Sequence, residues 1–303
     1  MPADLAAKIL AVFFATAPPL LIMTFFQKHD RFPEPPRVVW TTFALGALSV
    51  VPIVVIELAL RRLGHGIHGP WAASSFQAFV EVALPEEFAR FCVIWGYCMR
   101  RSEFDEPMDG LVYGVAAAAG FATVENLVTS LGTHASLSVA AIRAVTAIPS
   151  HAAEGMIMGY CCALARFRPG IRGVYLLLAL LVPALGHGVY DMIIMVSVAT
   201  KRFSPLFLWL LALQVSFGIA LCRETKTAQQ SWVPGTVPVM TRSMLLEGWV
   251  SSLLGLFLLW VGLMNLPLGG DPVGTHPAFQ FVAIPGVALL IQGSWFRRHK
   301  PRA

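Results

Sequence analysis

Charge is what this sequence has little of. Of its 303 residues only 13% are Asp, Glu, Lys or Arg, against about 25% in soluble domains. That shortage excludes an ordinary water-soluble globule. Cysteine is sparse too. Cys92, Cys98, Cys161, Cys162 and Cys222 follow no zinc-knuckle spacing and no disulfide framework, so they read as small apolar packing residues. No repeat or low-complexity tract is present. The basic residues are scattered over connecting segments, so the net charge of +5 does not mark a nucleic-acid-binding face.

What the sequence does have is long apolar runs, with 56% hydrophobic residues and a mean hydropathy of +0.68. A helix needs ~20 mostly apolar residues to cross a bilayer. About nine such spans are expected, near residues 8–26, 38–60, 76–99, 111–130, 139–165, 173–199, 204–222, 246–264 and 279–295. The fold class is therefore all-α: a polytopic membrane helix bundle, read as one membrane-embedded domain over residues 1–303. Ala15-Thr16-Ala17 resembles a signal cleavage site, but Pro18 follows and the apolar run continues, so the first span is expected to be retained. Fifteen of the 22 Lys and Arg fall in alternate connections, including Lys28, Arg31, Arg100, Arg101 and Arg166; five fall in the others. The positive-inside rule then puts the amino terminus outside the cell (inner) membrane and the carboxyl terminus in the cytoplasm.

The spans are unlike one another. Those at 8–60 and 204–295 are nearly free of ionisable residues and read as scaffold, with Pro18-Pro19 and Pro52 as kink points. The connection at 223–245 reads as a flexible linker. The four middle spans, residues 76–199, hold Glu81, Glu86, Glu87, Arg90, Glu125, Arg143, His151, Glu154, His187 and Asp191. Each ionisable group at bilayer depth costs ~2.5–3.5 kcal/mol on insertion scales, so such groups mark function by default. The plainer reading makes Glu81 and Glu154 solvated groups at cavity mouths, and Arg143 a side chain reaching the interface.

Spacing sharpens the pattern. Glu86 and Glu87 lie four and three residues before Arg90, so either can meet the guanidinium on one helical face. If Glu87 takes Arg90, Glu86 is free to point elsewhere. His187 and Asp191 are four apart, and His151 and Glu154 are three apart. Imidazoles and carboxylates with one position left for water suit a divalent metal or a general base. Gly114 to Gly120, and Gly155 with Gly159, invite close helix packing.

The order Glu86-Glu87-Phe88-Ala89-Arg90, Phe121-Ala122-Thr123-Val124-Glu125-Asn126, His151 with Gly155 to Tyr160, and His187 to Asp191 resembles the PrsW family of intramembrane proteases. That family looks related to the type II CAAX prenyl endopeptidases of the ABI group. The resemblance covers about residues 76–195. It implies hydrolysis of a peptide bond in a membrane-anchored substrate, such as an anti-sigma factor cut at its external side. Carried over, Glu86 is the general base, and Glu87, held by Arg90, is the second acid. Glu125, His151 and His187 become metal ligands or water-positioning groups, with Asp191 supporting or ligating. Zn2+ is the implied metal; a metal-free glutamate mechanism would use the same residues. Glu125 stands where the prenyl proteases have His, which turns the expectation away from prenylated substrates, and Arg90 replaces the Lys usual in PrsW motifs. A proton-coupled transporter and a non-cleaving scaffold are the competing readings, and the polar spans show no paired repeat that would favour transport.

Overall fold

The structure, a computed structural model, describes residues 3–132, 137–168, 170–201, 206–233 and 236. Among these, every regular element is helical. The helices are α1 (Ala3–Lys28), α2 (Pro36–Gly64), α3 (Pro70–Ser75), α4 (Leu84–Gly96), α5 (Pro107–Leu131), α6 (Leu137–Val145), α7 (Ala147–Phe167), α8 (Arg172–Thr200) and α9 (Leu206–Ser231). Five of them, α1, α2, α5, α8 and α9, are long and apolar enough to cross a membrane. The expected spans at 246–264 and 279–295 lie outside the described residues.

Two expected spans are not single helices. The span at 76–99 contains a π-helical segment, Phe76–Ala83, that joins α3 to α4; at its end the Leu84 N–H donates to the Phe79 carbonyl. Pro85 then sits in the first turn of α4, where its missing N–H costs least. Wide π turns of this kind recur at functional sites. The span at 139–165 is broken at Thr146 into α6 and α7. The linker reading of 223–245 also changes, since α9 runs on to Ser231.

Helix α5 forms the core. Every residue from Pro107 to Thr123 is buried, and α7 is almost as enclosed. By contrast α1 and α2 expose Phe13, Leu21, Leu48, Val51 and Val55, the outward apolar surface that lipid would cover. The α5–α7 seam is made of glycine. A Cβ added at Gly114 would stand 2.1 Å from the Gly155 carbonyl oxygen, and one at Gly159 would stand 1.9 Å from that of Gly110. Neither contact leaves room for a methyl group, so the two backbones touch. α2 approaches α5 from another side, where a Cβ at Gly46 would lie 2.2 Å from the Ala117 carbonyl oxygen.

This seam sets where α7 presents His151, one turn before Gly155, and Glu154, next to it. Gly155→Ala should lower the thermal unfolding midpoint in detergent, with an overpacking cost of about 1–3 kcal/mol. Gly173→Ala, where an added Cβ meets nothing within 4 Å, should leave the midpoint in place. Differential scanning fluorimetry on the two variants checks this.

Candidate active site

The π segment and Pro85 deliver Glu86, Glu87 and Arg90 on α4 into the space between α7 and α8. There Arg90 is 1% exposed and Glu87 fully buried. The i, i+3 spacing places the Glu87 carboxylate directly on the Arg90 guanidinium. The i, i+4 partner, Glu86, stands 3.6 Å off. Arg90 also donates to Glu154 Oε2 at 3.2 Å and lies 3.0 Å from His151 Nδ1 and 3.3 Å from His187 Nδ1. Its face rests on the Phe121 ring, 5.0 Å from the centroid. One guanidinium thus gathers side chains from α4, α7 and α8, with α5 beneath it.

The histidines face acids at both ring edges. His187 sets Nδ1 3.0 Å from Glu87 Oε1 and Nε2 3.3 Å from Asp191 Oδ2. His151 sets Nε2 3.0 Å from Glu125 Oε2 and Nδ1 3.2 Å from Glu154 Oε2. The two rings meet edge to face, 5.4 Å apart. A neutral imidazole has a single N–H. Arg90 stands at the Nδ1 edge of both rings, so a neutral imidazole can accept there and give its one N–H to the acid at Nε2.

Glu125 is also held by Arg143, whose Nε donates to Asn126 Oδ1 at 2.6 Å. Arg143 is therefore part of the site and does not reach away to an interface. Glu154 differs from the solvated reading as well, being buried and bonded to Arg90 and Ser150. Glu81 is buried too, beside Arg61 of α2 at 3.7 Å. The i, i+3 relation of His151 to Glu154 was the sequence signal for Glu154. Ser150, which also contacts Gln214 of α9 at 3.1 Å, had none, because a neutral polar residue in an apolar run carries no distinctive spacing.

Counted together, Glu86, Glu87, Glu125, Glu154 and Asp191 face only two guanidiniums, Arg90 and Arg143. If all five ionise, three negative charges remain for imidazolium protons or a divalent cation. Two groupings have the geometry for a metal, with ligand atoms within 4.8 Å of one another: Glu86 with His151 and His187, and Glu87 with Glu154 and His187. One oxygen on each of Glu86 and Glu87 is buried without a hydrogen-bond partner. The donor set and the orphaned oxygens both fit a bound cation. Of the residues singled out from the sequence, Glu86, Glu87, Arg90, Glu125, His151, His187 and Asp191 all converge here.

A cavity of about 700 Å³ opens from this cluster. Glu86, Glu125, His151 and Asp191 lie on its wall, and Thr129, Val198 and Lys201 line it toward the end of the bundle where α5 and α8 finish.

Comparison with known proteins agrees with this geometry. Residues 34–219 match the model of the PrsW family intramembrane metalloproteases. The protein named Protease PrsW from Geobacillus kaustophilus is 34% identical over 223 residues, 73% of this chain and 93% of its own length. Its namesake from Oceanobacillus iheyensis is 33% identical over 200 residues, covering 65% and 90%. That from Bacillus subtilis is 34% identical over 180 residues, covering 59% and 79%. No solved structure matches. With more than half of its length inside the family match and its intramembrane acids, histidines and arginines gathered at one cavity, this chain belongs to the PrsW family and is an intramembrane protease.

Proposed function

We propose that the protein cleaves a membrane-anchored protein of the anti-sigma-factor kind, with Glu86 activating the attacking water. The observation that carries this reading is the state of Glu86. It is the one acid of the Glu86-Glu87 pair that Arg90 does not hold closely; it lines the cavity, and a buried oxygen of its carboxylate lacks a partner. A carboxylate at the cavity wall that is not committed to the guanidinium can accept a proton from water. Glu87, bonded to Arg90 and to His187, is poised to position and not to exchange protons.

Zn2+ at this site would be held by His151 and His187 with acids of the same cluster. Glu125 and Asp191, each set against one imidazole, are proposed as ligands or as the groups that orient the rings. When bound, zinc would supply Lewis acidity and lower the pKa of a coordinated water toward ~7. Glu86 offers an oxygen within 4.8 Å of a ring nitrogen of each histidine, so it would stand beside a metal held there. Arg90 holds Glu87, Glu154 and both rings in register, and the buried surroundings strengthen each of these contacts.

The cavity opens toward the end of the bundle where α5 and α8 finish. With the amino terminus outside, that end faces the cell exterior, and a substrate would be cut near the external surface of the cell membrane. The alternation of basic connections supports this orientation.

Glu86→Gln should keep the fold and lose at least ~100-fold in cleavage of a membrane-anchored reporter, the loss typical of a missing general base. Full activity in that variant would sink the assignment. Elemental analysis of protein purified in detergent without chelator should find about one zinc per chain. The metal should be lost in both His151→Ala and His187→Ala. Metal-free protein that still cleaves would favour a glutamate mechanism.

A further inference from the structure

A second group of buried acids lies at the opposite end of the bundle. Asp30 comes from the α1–α2 connection; Glu106 and Asp109 cap α5; Glu34 lies beside them, with Tyr113 donating to its Oε2. Asp30, Glu106 and Asp109 are 7%, 1% and 0% exposed. Each offers an oxygen within 4.8 Å of those of the other two.

Most of the available hydrogen bonds are accounted for. The Phe32 N–H donates to Asp30 Oδ1 at 3.2 Å, and the N–H groups of Asp105 and Glu106 donate to Asp109 Oδ2 at 2.8 and 2.7 Å. The Gln229 amide of α9 bridges Asp30 and Glu106. What is left over is one oxygen on each acid: Asp30 Oδ2, Glu106 Oε2 and Asp109 Oδ1 are buried with no partner. Among the described residues, no Lys, Arg or His makes an ion pair with any of the four carboxylates. The acids at the His151–His187 cluster, by contrast, have Arg90 and Arg143. Burial pushes the Glu106 carboxyl up to about 8, and the Asp30 charge adds to the rise.

Three buried acids that sit together and each keep one oxygen without a partner, with no side-chain cation paired to them among the described residues, leave charge for a cation to compensate. The ligand set is all oxygen, which selects hard ions over zinc. We propose that Asp30, Glu106 and Asp109 bind a hard divalent cation of the Ca2+ or Mg2+ class, which pins the α1–α2 connection to the start of α5. Gln229 extends this tie to the end of α9. The site is separate from the proteolytic cluster, because Asp109 and Glu125 stand sixteen residues apart on α5, about 24 Å at 1.5 Å per residue.

The test uses the full chain in detergent, stripped with chelator, reloaded with zinc, and titrated with Mn2+ followed by electron paramagnetic resonance. One Mn2+ per chain should bind, and displacement by Ca2+ or Mg2+ identifies the preferred ion. Binding should raise the unfolding midpoint. Glu106→Gln and Asp30→Asn should each weaken binding by about 10-fold or more, whereas Glu86→Gln should bind as the wild type does. Asp30 lies in a connection and not in a helix cap, so Asp30→Asn decides the matter even if Glu106→Gln fails to fold. The proposal is overturned if zinc-loaded wild type takes up no Mn2+, Ca2+ or Mg2+ at about 1 mM. Uptake unchanged by Asp30→Asn would overturn it too, as would a midpoint that responds to pH alone, the sign that the carboxylates share protons instead.

Discussion

The buried Arg90 guanidinium is the contact on which the functional half of the molecule depends. It touches acids or imidazoles from α4, α7 and α8 and stacks on Phe121 of α5. Removing one partner from a buried charge network leaves an uncompensated charge, at ~3–5 kcal/mol. Arginine suits the position because its planar fork presents several donors in fixed directions, which an ammonium does not. With Arg90 committed to Glu87, its neighbour Glu86 stands farther from the guanidinium and lines the cavity. Two adjacent carboxylates thus take different surroundings according to which one reaches the guanidinium.

Positioning that network requires close packing and broken helices at the same time. The Gly110, Gly114, Gly155 and Gly159 seam draws α5 and α7 into backbone contact, which fixes the height of His151 and Glu154. The π segment before Pro85 falls in the span that precedes α5, and the break at Thr146 lies just before α7; both spans carry polar groups. Irregular backbone at membrane depth is tolerated where it lines a cavity or is buried in protein. Here it borders the space into which Glu86, Arg143 and His151 project.

The two ends of the bundle treat buried acid in different ways. At the cavity, five carboxylates are set among two guanidiniums and two imidazoles. At the far end, the donors that four carboxylates meet among the described residues are neutral: Tyr113, Gln229 and backbone N–H groups. The first arrangement sets acids against basic side chains. The second has no side-chain cation paired to it among the described residues, and it joins segments almost two hundred residues apart in the chain.

Helical class, membrane residence and the seven converging site residues were legible in the sequence, because low charge and the cost of ionisable groups at bilayer depth act on composition alone. The i, i+3 and i, i+4 pairings were legible for the same kind of reason: Glu87 with Arg90, His187 with Asp191 and His151 with Glu154 are set by helical periodicity. Contacts between helices were not. Arg143 meeting Glu125, Glu154 closing on Arg90, and Asp30 lying beside Glu106 all join residues whose separation carries no periodic signal. Nor does hydropathy register a π turn or a break at Thr146, since both keep the chain helical and apolar. Sequence by itself determined which residues are too costly to be in a membrane without a purpose. Only the tertiary structure decided which of them share a charge, because that depends on the glycine-tight spacing of α5 and α7 and on the single guanidinium placed between them.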